Sequence, residues 1–284
     1  MKKFYWGLMA LAAVAMTACS SDEPEEVKDD TTDDDTQKSA VVTSVTAMQE
    51  MAMGGAYYQS LVNLVYENMM SMPLGAPELT GMRSTPSIDG TVITVTYDEA
   101  GELCSDGITR AGQVMIDTGG DFMLSEEGTT WNITFDGFRQ NGALMDGEVT
   151  CKSMGMDMEN YTLTLQFTVK NGSVTYDDGK TFLYEQATTN VVSQTDATTD
   201  GGKVMTQQVT GTMEGASSDG IAFSATVSEP LSIASNSAYI TGGKVSATVG
   251  EYPAVSLDFS DGAAGNVTIT VDALGLSQTV RMPY

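Results

Sequence analysis

Tyr161-Thr162-Leu163-Thr164-Leu165-Gln166-Phe167-Thr168-Val169 alternates without a fault between an apolar and a polar face. That period of two is the mark of a strand buried on one side. Ile221 to Val227 and Val267-Thr268-Ile269-Thr270-Val271 repeat it. Near or between such runs stand Asn141-Gly142, Asn171-Gly172, Asp178-Gly179, Asp219-Gly220, Gly242-Gly243 and Asp261-Gly262, pairs that accept the positive φ angles of tight hairpins. Residues 88–284 therefore predict an all-β domain, an antiparallel meander of about a dozen strands. A sheet that large must curl into an open barrel or split into two layers. Either way one face needs a cover.

The segment before it reads differently. Within residues 41–87, Tyr57, Tyr58, Leu61, Val62, Leu64, Val65 and Met69 recur at helical spacing, which predicts one broad apolar stripe. Gly54-Gly55 is expected to kink or split this helix, and Pro73 to end it. Met48, Met51, Met53, Met69, Met70 and Met72 crowd the segment. Flexible thioethers either fill irregular core gaps or make an adaptable binding surface, and the core role is the expectation. The helix is the natural cover for the sheet, and a proline- and glycine-bearing linker follows it.

The N-terminus gives an address. Lys2 and Lys3, an apolar run from Phe4 to Met16, and then Thr17-Ala18-Cys19 make a signal peptide over residues 1–18, its apolar run too short to remain as a membrane span. Cys19 after Met16-Thr17-Ala18 resembles the acylated cysteine of bacterial lipoproteins, which anchors a chain to a membrane without spanning it. Ser20, Ser21, Asp22, Glu23, Glu25 and Glu26 resemble the acidic export signal of surface lipoproteins in Bacteroidota. Residues 19–40 otherwise read as an acidic tether, with nine acids against Lys28 between Asp22 and Asp35, too polar to fold alone.

Composition removes several function classes. The net charge of -25 repels nucleic-acid backbones and anionic lipid headgroups, so membrane attachment is expected through the lipid alone. The chain has no histidine, which removes histidine-activated nucleophiles and the commonest zinc ligands. No catalytic residue, metal or cofactor is implied. Cys104 and Cys151 could form a disulfide in an exported protein, or remain as thiols.

Other candidates have plainer readings. Asp177-Asp178-Gly179 and Asp258-Phe259-Ser260-Asp261-Gly262 could offer oxygens to calcium but lack EF-hand spacing, and turns use the same residues. Asp98, Glu99, Glu102 and Asp106 are expected in one loop around Cys104, without the fixed separation a glycosidase pair requires. Trp131, Phe135 and Phe138 could stack on sugars, but their spacing favours the core. Arg110 and Arg139 are expected to pair with a nearby Asp.

The segments Asp106-Gly107-Ile108-Thr109-Arg110-Ala111-Gly112-Gln113-Val114, Phe135 to Gly142 with Met145-Asp146-Gly147, and Ile240 to Val245 leading to Asp258-Phe259-Ser260-Asp261-Gly262 and Asn266-Val267-Thr268 resemble landmarks of an uncharacterised family of β-rich cell-surface lipoproteins of Bacteroidota. The resemblance implies no activity and no catalytic residues. In that family a cysteine often stands in the last loop, where this chain has Ala263-Ala264, so the resemblance leaves Cys151 as the partner for Cys104. The expectation that follows is a non-catalytic surface module of the outer membrane. A carrier of a lipid or other hydrophobic ligand is the alternative, and a glycan-binding or glycan-processing protein the third reading.

Overall fold

The computed structural model describes residues 31–71, 86–104, 106–196, 203–234, 237, 239–271 and 275–281, with helix side chains described from Ser44 to Val65. The expected signal peptide, Cys19, the expected export residues Ser20 to Glu26, and Met72 lie outside the described residues, and so does the expected linker up to residue 85. The side chains of Met69 and Met70 do too. The chain forms two compact units, Met1–Lys38 and Ser39–Tyr284.

Helix α1 spans Thr31–Ser71. The strands follow as β1 Ser87–Asp89, β2 Val92–Leu103, β3 Thr109–Asp117, β4 Thr130–Gln140, β5 Ala143–Asp157, β6 Thr162–Thr175 and β7 Thr181–Asp196. Then come β8 Lys203–Ala216, β9 Ala222–Ala234, β10 Ile240–Val249, β11 Tyr252–Asp258, β12 Asn266–Val271 and β13 Leu276–Arg281. All thirteen join one sheet in sequence order, and every neighbouring pair is antiparallel. The expected antiparallel meander is thereby present as one continuous sheet. Among the described residues β1 and β13 have one partner each, so the sheet is an open wrap.

Two expectations for α1 change. It begins at Thr31, inside the expected tether, because Asp33-Asp34-Asp35 fall in its first turns, where acids complement the partial positive charge of a helix N-terminus. It also runs continuously through Gly54-Gly55. A Cβ on Gly54 would lie 2.7 Å from Tyr184 Cδ2 and 3.0 Å from Phe182 Cε2, so this glycine lets the helix approach β7 rather than breaking it. The helix ends two residues before Pro73, as the geometry of residues preceding proline favours.

The expected single stripe is also exceeded, since every residue from Met51 to Val65 is buried. The sheet curls far enough to meet several faces of the helix. Hydrogen bonds tie α1 to Gln140 of β4, Asp146 of β5, Ser173 of β6, Thr188 of β7 and Gln207 of β8. The inner sheet face supplies the rest of the core, with Trp131, Ile133, Phe138, Phe167, Phe182 and Leu257 all fully buried.

Bulges bend the sheet. Register shifts recur around Gly112, Gly137, Gly147, Gly172, Gly211 and Gly243 in six of the pairings, and each such irregularity kinks its strand and increases local twist. Asn171-Gly172 and Gly242-Gly243, expected as hairpin turns, lie inside β6 and β10 instead. The reason is close approach: a Cβ on Gly172 would sit 2.1 Å from Tyr184 O. Asn141-Gly142, Asp178-Gly179 and Asp219-Gly220 do reverse the chain, with Asn141 and Gly142 at φ 49° and 89°.

Candidate functional site

The alternation of β7 places Phe182, Tyr184, Gln186, Thr188, Asn190 and Val192 on one face, and all six are buried against the helix side. The middle of that row is polar. On α1, Gln59 and Asn63 are four residues apart and so lie one turn apart on a common face, opposite it. The result is a polar seam between the helix and β7.

Its hydrogen bonds run in series. Tyr184 Oη donates to Gln186 Oε1 at 3.0 Å, and Gln186 Nε2 donates to Thr188 Oγ1 at 3.1 Å. Thr188 Oγ1 also accepts from Gln59 Nε2 at 3.1 Å and donates to Phe167 O at 3.3 Å. Farther along, Gln207 Nε2 donates to Asn63 Oδ1. Gln59 Oε1, both amide atoms of Asn190, and Gln207 Oε1 find no hydrogen-bond partner among the described residues. Buried polar atoms are usually paired, so these four mark an unusual site.

A cavity of ≈ 10 Å³ adjoins the seam, lined by Gln59, Tyr184 and Thr188 and by apolar residues including Met51, Met213 and Leu231. Tyr184 stacks on Tyr58 at 5.4 Å. Burial pushes both phenols well above their ordinary value, and for Tyr184 the neighbouring Tyr58 adds to the shift. This group of amides, hydroxyls and phenols can bind through hydrogen bonds.

Two further polar contacts fix the helix at its flanks. Tyr58 Oη donates to Asp146 O at 2.5 Å and to Ser173 O at 3.2 Å, two carbonyls beside the bulges at Gly147 and Gly172. Glu50 accepts from Ser218 N at 2.7 Å and Ser218 Oγ at 2.6 Å, which ties the helix to the β8–β9 turn. Burial first, and then the negative charge of Glu50, pushes the Tyr176 phenol up.

The cysteine pairing is corrected. Cys104 and Cys151 are free, buried thiols. Cys104 follows β2 at the end where Leu103 pairs Thr109, whereas Cys151 pairs Trp131 at the opposite end of the strands. Three strand spacings of about 4.8 Å and several residues of strand separate them, far beyond the roughly 7 Å Cα limit for a disulfide. Burial pushes the Cys151 thiol up to about 12. It also pushes Cys104 up, against the opposing pull of Arg110.

Both arginines pair with aspartate. Arg110 donates to Asp106 at 3.0 and 2.6 Å in a buried, forked contact. Burial is the largest single influence and opposes its charge, but Asp106, joined by Tyr97 and Cys104, raises the guanidinium overall. Arg139 lies 3.6 Å from Asp177 and donates to Gly142 O at 2.7 Å. Asp98, Glu99 and Glu102 belong to β2 rather than a loop, displaced by the register shift between Tyr97 and Glu102.

Trp131 is buried and donates to Asp121 O at 2.7 Å, so its indole is no sugar platform. In the two loops considered for calcium, Asp178 and Asp258 accept from Lys180 N and Ser260 N, bracing local turns. Among the described residues no three His, Cys, Asp or Glu side chains gather as metal ligands.

No local motif in the sequence marks the seam. Its signal is parity: Gln186, Thr188 and Asn190 fall in phase with Phe182, Tyr184 and Val192. Comparisons of the chain with protein-family models, curated proteins and solved structures find no match.

Proposed function

We propose that the chain is a lipid-anchored module of the outer membrane, displayed at the cell surface, whose sheet is a rigid scaffold rather than a ligand container. The filled interior supports this reading. Met51 to Val65 are buried, and the cavity beside them, ≈ 10 Å³, accommodates about one water, whereas ligand pockets commonly measure roughly 300–1,000 Å³. Anchoring rests on Met16-Thr17-Ala18-Cys19, and display on the acids from Asp22 to Glu26.

Fractionation of cells expressing Cys19→Ser should move the protein from membranes to soluble fractions, and protease added to intact cells should remove the body of the wild type. Continued membrane association of the mutant would refute the anchor. In native mass spectrometry of protein purified from its own host, the expected mass is the acylated chain alone. A stoichiometric second lipid would establish the carrier instead, and a retained glycan would establish the third reading.

A further inference from the structure

We propose that the amide seam between α1 and β7–β8 is a binding site for internal water, a hydrated joint in the middle of the core. The starting point is the unpaired set: Gln59 Oε1, Asn190 Oδ1, Asn190 Nδ2 and Gln207 Oε1, on side chains that are 3%, 0% and 0% exposed respectively. Leaving such atoms dry costs the desolvation of each one.

The register brings them together. Asn190 pairs Val209, and Val192 pairs Gln207, across β7 and β8. Asn190 and Gln207 are therefore diagonal neighbours on one face, within reach of long side chains. Gln59 is bonded to Thr188, two residues before Asn190, and Asn63 is bonded to Gln207. Asn190 thus faces the helical turn between Gln59 and Asn63, with an unpaired carbonyl on either side.

The donor and acceptor count selects the guest. Three carbonyl oxygens and one N–H₂ group await partners. Water donates twice and accepts as well, so two molecules can satisfy all four atoms and still bond to each other. A monovalent cation would satisfy the oxygens and repel the Asn190 amide hydrogens. It would also place an unpaired charge among neutral side chains. The adjoining cavity, ≈ 10 Å³ and bordered by Gln59, Tyr184 and Thr188 but not by Asn190 or Gln207, has room for about one water at the Gln59 end of the seam.

Two measurements test the site. Crystals of the mature chain grown separately in sodium and rubidium salts should show peaks about 2.7–3.2 Å from at least two of the three oxygens, without rubidium anomalous signal. Direct re-pairing of Gln59, Asn190 and Gln207 with no peak between them would overturn the proposal. An anomalous rubidium peak would overturn it in favour of a cation.

The second readout is a sign. Asn190→Leu is nearly isosteric. In a dry seam it replaces an orphaned amide by apolar surface and should raise the folding equilibrium constant. In a hydrated seam it removes the bridge and strands two carbonyls, so the constant should fall by about tenfold or more. A rise would refute the proposal, and if the variant does not fold the crystals still decide.

Discussion

Tyr58 is the residue on which the bend of the sheet and the seating of the helix meet. Its hydroxyl serves Asp146 O and Ser173 O at the bulge, while its ring stacks on Tyr184. Tyr58→Phe keeps the stack and strands the carbonyls, so chemical denaturation should show a loss of about 1–3 kcal/mol. The same burial makes alkali the vulnerable side of the pH range. Cys151 shifts from 9.0, and Tyr57 from 10.0, each to about 12 in the folded chain through burial. The folded state therefore holds protons the unfolded chain releases, and stability that is complete below pH 9 falls as pH rises from 9 to 12. Phenolate absorbance should appear together with loss of near-ultraviolet circular dichroism. Independent titration of these phenols in a folded protein would contradict this. At this scale the sequence was legible where chemistry is local. Asn141-Gly142 reads as a turn and is one, but Asn171-Gly172 has the same letters and forms a bulge, because what demands its glycine is Tyr184 O on the next strand.

Helix α1 shows the same division at the scale of an element. Its existence follows from local spacing, and so does its end near Pro73. Its burial on many faces does not, since the partners of Glu50, Gln59, Ser60 and Asn63 lie 168, 129, 80 and 144 residues away. Those polar residues look solvated in a periodicity analysis and prove to be internal contacts. Leu61 and Val65 are both 0% exposed, so Leu61→Ala should cost about 2–5 kcal/mol and Val65→Ala somewhat less. Gly54→Val should be at least as damaging, because its branches would enter the Tyr184 and Phe182 rings, and thermal melts can rank the three.

The sheet is a meander whose strand order was legible, because short reversals between antiparallel strands leave little topological choice. How far it would wrap was hidden in bulge positions, which depend on backbone approaches between strands. Removing residues 31–71 should leave the inner face without its cover. The expected product binds hydrophobic dye and lacks a cooperative thermal transition, and a sharp transition in that variant would show that the sheet is self-sufficient.

The wrap also sets a schedule. Glu50, in the segment made first, finds its partner Ser218 168 residues later, so a chain emerging N-terminus first cannot seal its interior until β8 and β9 have arrived. Until then the methionine-bearing helix has no lasting shelter, and any helper that meets the chain in transit has this segment to guard. Completion becomes the trigger for burial: a chain cut short before β9 leaves the helix exposed to proteases, so the topology itself discriminates finished molecules from unfinished ones.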